Sequence, residues 1–523
     1  MTPGQRILIN TIATYGRTLL AVFLGLFSSR WVLEALGEID YGLMGVVGSV
    51  LVFITLFNAL TTAANARYFA FSIGQKDIEM TRKWFNSALS ISLLLPSILL
   101  IVGLIAGEYV IRYFLSIPDG RLLTSLWVFR ISLSTAYITM LCAPFLAMFT
   151  AKQNIAELSI WGMVISVTTF LFVYCLSSIP GNKWLIYSIG ISSITSLFTI
   201  IQAVRAARKY SECKIVFSYW FNGARIKEMF SYSFWTLFGG LGGLLYHNGL
   251  AIVLNKFFPP SLFPSVNASY TIGHTVAGHT QTISSSLSGA FMPEIVSSEG
   301  RGDRERVITL MFKSIRLSFV IISIVVFPIL FQTEFILTAW LRTPPEYAAL
   351  FCRTMLVAFL FMRLVGSFDT AICATGRIKF YQITMLSLAG CTIIIAAILL
   401  SLGVGIYSVC AVIVGYSLML NVVSLVFCKK LVGISIWEWI QHVVKPVMST
   451  VAFNVLIGSL LLYGTGGLTS VVRFFIVVPV IVISATVINW LLLTDKDEKM
   501  RIKQMIAGLR KNIFNKRPTF KPN

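Results

Sequence analysis

The chain has 523 residues, of which 56% are hydrophobic and 12% are charged, and its mean hydropathy is +0.82. A soluble domain carries about twice that share of charged residues to hydrate its surface, so the composition excludes one. The formal net charge of +21 is attributed to loops that face anionic lipid, and no nucleic acid partner is expected.

Apolar runs of about 20 residues recur along the chain, and each is long enough to cross a bilayer as a helix. The sequence therefore predicts an all-α polytopic membrane protein, with about fourteen transmembrane helices and twelve as the alternative count. The predicted spans are residues 7–28, 41–64, 86–107, 122–147, 155–178, 184–204, 230–254, 267–290, 309–331, 349–373, 380–402, 404–427, 443–463 and 471–493.

Basic residues are distributed unevenly among the predicted loops. With a cytoplasmic N-terminus and fourteen crossings, about 30 of the 42 Lys and Arg lie on the cytoplasmic side, as the positive-inside rule requires. Both termini are therefore predicted to be cytoplasmic, and the basic tail is predicted to form an interfacial helix. The eight cysteines form no C-x-x-C pair and the four histidines no H-E-x-x-H motif, so no metal or cofactor is expected.

Two pairs of segments resemble each other at nearly the same spacing along the chain, which we call the repeat spacing. "ARYFAFSIGQKDIEMTRKWFNSALSIS" from Ala66 is similar to "FMPEIVSSEGRGDRERVITLMFKSIRLS" from Phe291, and "APFLAMFTAKQNIAELSIWG" from Ala143 to "DTAICATGRIKFYQITMLSLAG" from Asp369. A repeat of six spans gives two pseudo-symmetric bundles of the same orientation, an architecture that places a substrate cavity between its halves. The predicted parts are a six-helix bundle (1–204), a basic cytoplasmic connector (205–229), a second six-helix bundle (230–427), two further spans (428–493) and the tail (494–523).

The segment "YTIGHTVAGHTQTISSSLSGAF", residues 270–291, is as long as a span but rich in polar residues. At 100° per residue its polar residues fall on one helical face and its apolar residues on the other. We therefore predict a transmembrane helix whose polar face lines a wet cavity, with His274, His279 and Gln281 as substrate contacts. In the alternative interpretation, the helix is buried in protein and its hydroxyls bond to its own carbonyls.

Ionisable groups inside spans are costly, at about 2.5 kcal/mol or more, and usually face a cavity or a partner. Arginine suits a diphosphate or an acidic sugar, because its forked donors stay charged. Arg30 and Arg353 are also near enough to the interface to extend to it, and His247 is either a proton-coupling group or a neutral helix contact. Arg130 and Arg353 are separated by close to the repeat spacing, and Arg363 and Asp369 fall on different helical faces, so no direct pair is expected. The further candidate cavity residues are Arg17, Arg30, Arg130, His247, Asn248, Arg353, Arg363 and Asp369.

The segment "SSRWVLEALGEIDYGLMGVVGSV", residues 28–50, resembles the junction of the first two spans in bacterial polysaccharide flippases, through its "LEALG" and "DYG". These flippases belong to the multidrug/oligosaccharidyl-lipid/polysaccharide (MOP) exporter superfamily, and "AFMPEI" at Ala290 agrees with them. The resemblance implies a MATE-like fold in the bacterial inner membrane. It also implies export of an undecaprenyl-diphosphate-linked O-antigen or capsule repeat unit by alternating access. The implied partners are this lipid-linked oligosaccharide, membrane lipids, and the polysaccharide polymerase and glycosyltransferases of the same pathway, while coupling to H⁺ or Na⁺ is left open.

Three other functions compete with this one. An ion-coupled multidrug antiporter of the same superfamily is the alternative, but a cation exporter favours acidic cavity residues and this chain offers chiefly Asp369. A membrane polymerase or ligase would be expected to use a large outer loop, whereas the predicted outer loops are short and no catalytic constellation or P-loop is present. A structural scaffold would leave the arginines inside spans unexplained. The sequence therefore predicts a transporter and not an enzyme.

Overall fold

The computed structural model describes the backbone of residues 3–75, 77–494 and 499. It describes their side chains except at residues 3–12, 15, 52–56, 59–61, 63, 64, 67, 71, 74, 230–240, 283, 285–290, 293, 297 and 300. The predicted interfacial helix of the tail therefore lies outside the described residues. Within the described part the chain is helical and contains no β-strand, which confirms the predicted all-α fold.

The described α-helices follow one another with short connections. They are α1 (Pro3–Gly74), α2 (Ile78–Val102), α3 (Asp119–Ala151), α4 (Ile155–Cys175), α5 (Lys183–Lys209), α6 (Gly223–Phe257), α7 (Pro264–Gly300), α8 (Arg304–Phe331), α9 (Thr333–Leu341), α10 (Ala348–Arg363), α11 (Phe368–Ala374), α12 (Lys379–Ser401), α13 (Ile406–Leu431), α14 (Ile436–Trp439), α15 (Lys445–Gly464) and α16 (Ser470–Leu492). Two π-helical segments, Gly103–Gly107 and Val110–Phe114, extend α2.

Each predicted span lies on helical backbone to within two residues, apart from the break inside the tenth span. In the described part, ten helices are long and apolar enough to cross a membrane, or eleven if the bent pair α10–α11 is one span. The chain is thus a multi-pass membrane protein. Because α6 and α7 are not among these helices, the count of fourteen stays a prediction.

Helix α1 contains the first two predicted spans, and a single residue separates them. Gly37, the glycine of "LEALG", has φ 76° and ψ 173° inside otherwise helical backbone. This region of φ/ψ space is essentially restricted to glycine, because a Cβ would clash with the backbone. The first part of the motif is therefore explained by a backbone break between two spans.

Local structure repeats at the spacing that the sequence predicts. Asp77 and Asp303, separated by the repeat spacing, are the N-caps of α2 and α8, and each accepts a hydrogen bond from the backbone amide three residues on. Gln153 and Gly376, separated by close to the same spacing, both have positive φ in the turns before α4 and α12. These matches support an internal repeat, while the boundaries of the two bundles stay predictions.

The chain forms two compact units. The first comprises the chain up to Thr275 together with Leu337–Cys352 and Lys379–Tyr416, and the second comprises Val276–Ile336, Arg353–Ile378 and the chain from Ser417. In the first unit, Phe69, Phe85 and Ala147 from α1, α2 and α3 are completely buried in one apolar cluster.

In the second unit, the two C-terminal helices α15 and α16 pack against α8. Asn489 on α16 is buried and donates to the Ser323 hydroxyl of α8 at 2.8 Å. A Cβ on Gly458 of α15 would lie 2.3 Å from the ring of Phe331. The helices approach this closely because position 458 has no side chain.

Candidate translocation site

Helices α1 and α7 cross closely in the first unit. A Cβ on Gly42 would lie 2.8 Å from the backbone nitrogen of Ala268, and one on Gly45 would lie 2.2 Å from Oγ1 of Thr271. Small residues permit such an approach, since any side chain would have to displace the neighbouring helix. Gly42 belongs to the "DYG" of the motif, so this part of the motif is explained by helix packing. We name the contact of Gly42 and Gly45 with Ala268 and Thr271 the glycine seam.

Further contacts join the predicted outer ends of the helices in the first unit. Glu34 and Arg342 form an ion pair at 3.5 Å, and the Trp340 indole donates to a backbone carbonyl of α1. The buried Asn255 side chain accepts from the backbone N–H of Ser116 at 2.8 Å. With the glycine seam, these contacts connect segments of both predicted halves at the side that the charge pattern assigns to the outside.

The polar face of α7 divides into two kinds of residue. The hydroxyls of Thr271, Thr275 and Thr282 donate to backbone carbonyls four residues earlier in the same helix, at 2.8–2.9 Å. These threonines therefore agree with the alternative interpretation, in which the helix satisfies its own hydroxyls.

The predicted substrate contacts on α7 behave differently from the threonines. His274 and Gln281 are exposed and His279 is partly exposed. Among the described residues, the side chains of His279 and Gln281 have no hydrogen-bond partner in the protein. Three polar side chains at helical spacing thus remain available to an external partner.

The structure brings His247 of α6 next to His274 of α7. Their rings meet edge to face with centroids 5.0 Å apart, and the Tyr270 hydroxyl donates to the His247 carbonyl at 2.7 Å. The Asn248 amide donates to the Leu244 carbonyl of its own helix at 3.0 Å. Of the predicted pair His247–Asn248, the histidine therefore joins the polar face of α7 and the asparagine is partly used within α6.

Arg17 and Arg30, both on α1, carry positive charge that no described residue neutralises. Arg17 is exposed, and its aliphatic stem packs on α4, where a Cβ on Gly162 would lie 2.5 Å from the Arg17 Cδ. Arg30 is partly buried, and its Nε has no hydrogen-bond partner in the described structure. The two guanidinium groups are therefore able to bind an anion.

Arg130 and Arg353 are each paired with a glutamate. Arg130 forms two hydrogen bonds with Glu108, Nε to Oε1 at 2.6 Å and Nη2 to Oε2 at 3.0 Å, and its guanidinium lies 5.2 Å from the Trp127 ring. Arg353 forms an ion pair with Glu334 at 3.1 Å. The two glutamates are separated by the repeat spacing, so the predicted equivalence of the arginines extends to their partners. The sequence alone does not reveal this pairing, because both glutamates lie at predicted loop positions.

In the second unit, Arg363 lies at the break between α10 and α11, whose axes are bent by 44°. Its Nη1 donates to the Ser284 hydroxyl of α7 at 3.3 Å, and its guanidinium lies 4.8 Å from the Phe359 ring. The buried Nε has no hydrogen-bond partner in the described structure. Arg363 forms no ion pair with Asp369 among the described residues, as the sequence predicts. Ser284, which is completely buried, was not among the predicted site residues.

Asp369 is exposed on the short helix α11, and the thiol of Cys373 approaches its Oδ1 at 3.9 Å. Broken helices occur inside membranes where the backbone is buried in protein or lines a cavity, and they often mark substrate sites. No group of three or more His, Cys, Asp or Glu able to hold a metal ion occurs among the described residues.

The fold class is MATE-like, as the resemblance implied. No protein-family model and no curated protein matches the sequence. Among solved structures, the chain is similar to the lipid II flippase MurJ in an inward closed conformation, with a TM-score of 0.67, 11% identity and coverage of 93% of this chain and 98% of that chain.

Two further structures extend the comparison. An inward-facing multidrug resistance MATE family transporter of the MOP superfamily gives a TM-score of 0.66 at 13% identity, covering 81% of this chain and 98% of that one. A MOP superfamily transporter from Pyrococcus furiosus, whose binding pocket is described as having reverse polarity, gives 0.60 at 14% identity, covering 83% and 96%. At these identities the similarity establishes the fold.

Proposed function

We propose that the protein is a flippase of the bacterial inner membrane that moves a lipid-linked oligosaccharide by alternating access. The preferred substrate is an undecaprenyl-diphosphate-linked O-antigen or capsule repeat unit. The observation that carries the proposal is the set of guanidinium groups with unfilled donors, Arg17, Arg30 and Arg363, which no described carboxylate neutralises. Free guanidinium groups near membrane depth suit phosphate or an acidic sugar.

The first unit supplies cation and hydrogen-bonding groups for this task. Arg17 and Arg30 hold a phosphate or an acidic sugar, and His274 contacts the glycan. In the second unit, Arg363 with Ser284 offers a further anion contact, while His279 and Gln281 bind sugar hydroxyls. The lipid tail stays in the bilayer. Arg130 and Arg353, each matched by a glutamate, hold neighbouring segments together and do not bind substrate directly.

The contacts at the predicted outer ends assign an order to the transport cycle. With the glycine seam closed, substrate enters from the cytoplasmic side. Separation of the seam and of the Glu34–Arg342 pair then releases the glycan to the outside. The similarity to an inward closed lipid II flippase supports a lipid-linked substrate for this fold.

An ion-coupled multidrug antiporter is the second candidate. Several of the similar structures are described as multidrug resistance MATE transporters, and Asp369 is an exposed carboxylate beside a helix break. A cationic drug would bind such a carboxylate, whereas the free arginines would repel it.

Deletion of the gene separates the two candidates. A flippase deletion removes surface polysaccharide and accumulates lipid-linked repeat units in the inner leaflet, and the wild-type gene on a plasmid restores export. Unchanged surface polysaccharide with increased drug sensitivity would contradict the flippase and favour the antiporter.

A further inference from the structure

Residues 210–222 connect α5 to α6, and we name them the connector segment. The segment lies along α2, and three polar side chains of α2, Asn86, Ser87 and Ser90, bind its backbone. The bonds are Asn86 Nδ2 to Lys214 O at 2.9 Å, Val216 N to Asn86 Oδ1 at 2.7 Å, Ser87 Oγ to Tyr219 O at 3.2 Å and Ser90 Oγ to Trp220 O at 2.8 Å.

These bonds fix which side of the connector segment faces the protein. The three α2 side chains are completely buried, so detachment of the segment would leave buried polar groups unpaired. On the same side, Glu212 is buried against Lys152, and Cys213 belongs to the apolar cluster of Phe69 and Phe85.

The other side of the segment is apolar and exposed. Ile215, Phe217 and Phe221 are 55%, 75% and 69% exposed. Exposed aromatic side chains on a segment that is held rigidly in place are unfavourable in water. They require a cover.

The charges around this side are positive. Residues 205–229 contain six basic and two acidic residues. Arg205 and Lys209 are paired with Glu157, but Arg208, Lys214 and Lys227 are exposed and form no ion pair with any described residue. The exposed apolar residues are therefore accompanied by cations that lack a counter-charge.

The position of the segment identifies its cover. Helix α5 is one of the helices able to cross a membrane, and the connector segment starts directly after its last residue. It therefore lies at the bilayer surface, where apolar side chains enter the acyl boundary and Lys and Arg meet anionic headgroups.

We propose that the connector segment is a lipid-binding surface. Its apolar side chains insert into the adjacent leaflet and its free cations bind the phosphates of anionic lipid headgroups. The surface consists of Ile215, Phe217, Phe221, Arg208, Lys214 and Lys227. Because the segment is bound to α2 and continues into α6, bound lipid fixes the start of α6 at the membrane surface.

Photo-crosslinking of the full chain tests the insertion. The variants Phe217→p-benzoylphenylalanine and Phe221→p-benzoylphenylalanine are compared, in nanodiscs of phosphatidylglycerol and phosphatidylcholine, with the same substitution at Phe475 of α16. Phe475 has the same 69% exposure as Phe221, on a helix able to cross a membrane. The control is Tyr219, which approaches Glu79 at 3.5 Å on the protein side.

We expect lipid adducts, detected by intact mass, at positions 217 and 221 within about twofold of the yield at 475, because all three contact acyl chains. The yield at 219 is expected to be about fivefold lower or less, since that ring faces protein. Yields at 217 and 221 no higher than at 219, with efficient crosslinking at 475, would overturn the proposal.

A charge variant tests the headgroup preference. For Lys214→Gln, we expect the ratio of phosphatidylglycerol to phosphatidylcholine adducts at position 217 to fall about fivefold, the usual contribution of one basic residue near an anionic surface. Arg205→Gln, which removes a cation already paired with Glu157, is expected to change the ratio less. An unchanged ratio in the Lys214 variant would refute anionic headgroup binding by this residue. Neither readout requires transport activity, so the proposal stands or fails separately from the flippase.

Discussion

The arginines inside predicted spans differ in what surrounds them. Arg130 has a glutamate at 2.6 Å, so its charge is neutralised within the protein. Arg17 has no ion-pair partner among the described residues, and its stem lies on a glycine of the neighbouring helix. A buried or membrane-embedded charge without a partner is costly. The unmatched residue is therefore the better candidate for substrate binding.

Replacement of Arg17 separates binding from folding. We expect Arg17→Ala to lower export about tenfold to a hundredfold, the usual effect of losing hydrogen bonds to a charged group, with normal protein in the membrane. Arg17→Lys should retain part of the activity, because the charge remains while the fork is lost. Surface polysaccharide and membrane protein level are measured together, with Arg112→Ala as a control at a surface arginine. Full export by Arg17→Ala would contradict a role in binding.

Arg130 should behave as a structural residue. We expect Arg130→Gln and Glu108→Gln each to lower the melting temperature in detergent, because each leaves its partner without a counter-charge. The double variant should be more stable than the sum of the two losses predicts, as in a double-mutant cycle of contacting residues. Additive losses would show that the two residues do not stabilise the protein as a pair.

At the scale of elements, glycine acts in two distinct ways in α1. Gly37 adopts a backbone conformation that other residues avoid, whereas Gly45 is helical and matters because of the neighbour it admits. Gly48, one turn further on, has nothing within 4 Å of a Cβ. The motif of residues 28–50 thus combines a break and a packing surface.

The glycine seam predicts a contrast between two matched substitutions. Gly45→Ala places a methyl group against Thr271 and should lower stability by about 1–3 kcal/mol, as overpacking does. Gly48→Ala, on the same helix and facing open space, should be neutral or slightly stabilising because alanine favours helix. Thermal unfolding in detergent compares the two. Equal effects would argue against close packing at position 45.

At the scale of the whole molecule, alternating access requires that the outer contacts open in each cycle. The seam lies beside Glu34–Arg342 and Asn255–Ser116, all on the side that the charge pattern places outside. Transport should therefore stop when these contacts are made permanent.

A disulfide across the seam tests this requirement. The Cβ of a residue at position 42 would lie 3.0 Å from the Asn267 Cβ, so Gly42→Cys with Asn267→Cys is close enough to bridge after a small shift. We expect the oxidised double variant to lose export and to regain it with a reductant, while each single variant exports under both conditions. Continued export by the quantitatively oxidised protein would show that the seam does not open.

The sequence by itself determined the features that depend on neighbours along the chain. Helices follow from apolar runs, the break at Gly37 follows a glycine between two runs, and Asp77 and Asp303 cap helices because of their position in the turn. The amphipathic period of α7 also predicted which of its side chains, such as His274 and Gln281, are exposed. All of these are local properties of the backbone and its solvent.

Only the tertiary structure decided which polar groups meet. Glu108 is 22 residues from Arg130, Ser284 is 79 from Arg363, and Asn86 is 128 from Lys214. No periodicity or spacing predicts such pairs, because the partner depends on which helices pack together. Packing therefore distinguished the neutralised arginines from the free ones, and it showed that a basic connector has one side bound to α2 and the other facing outward.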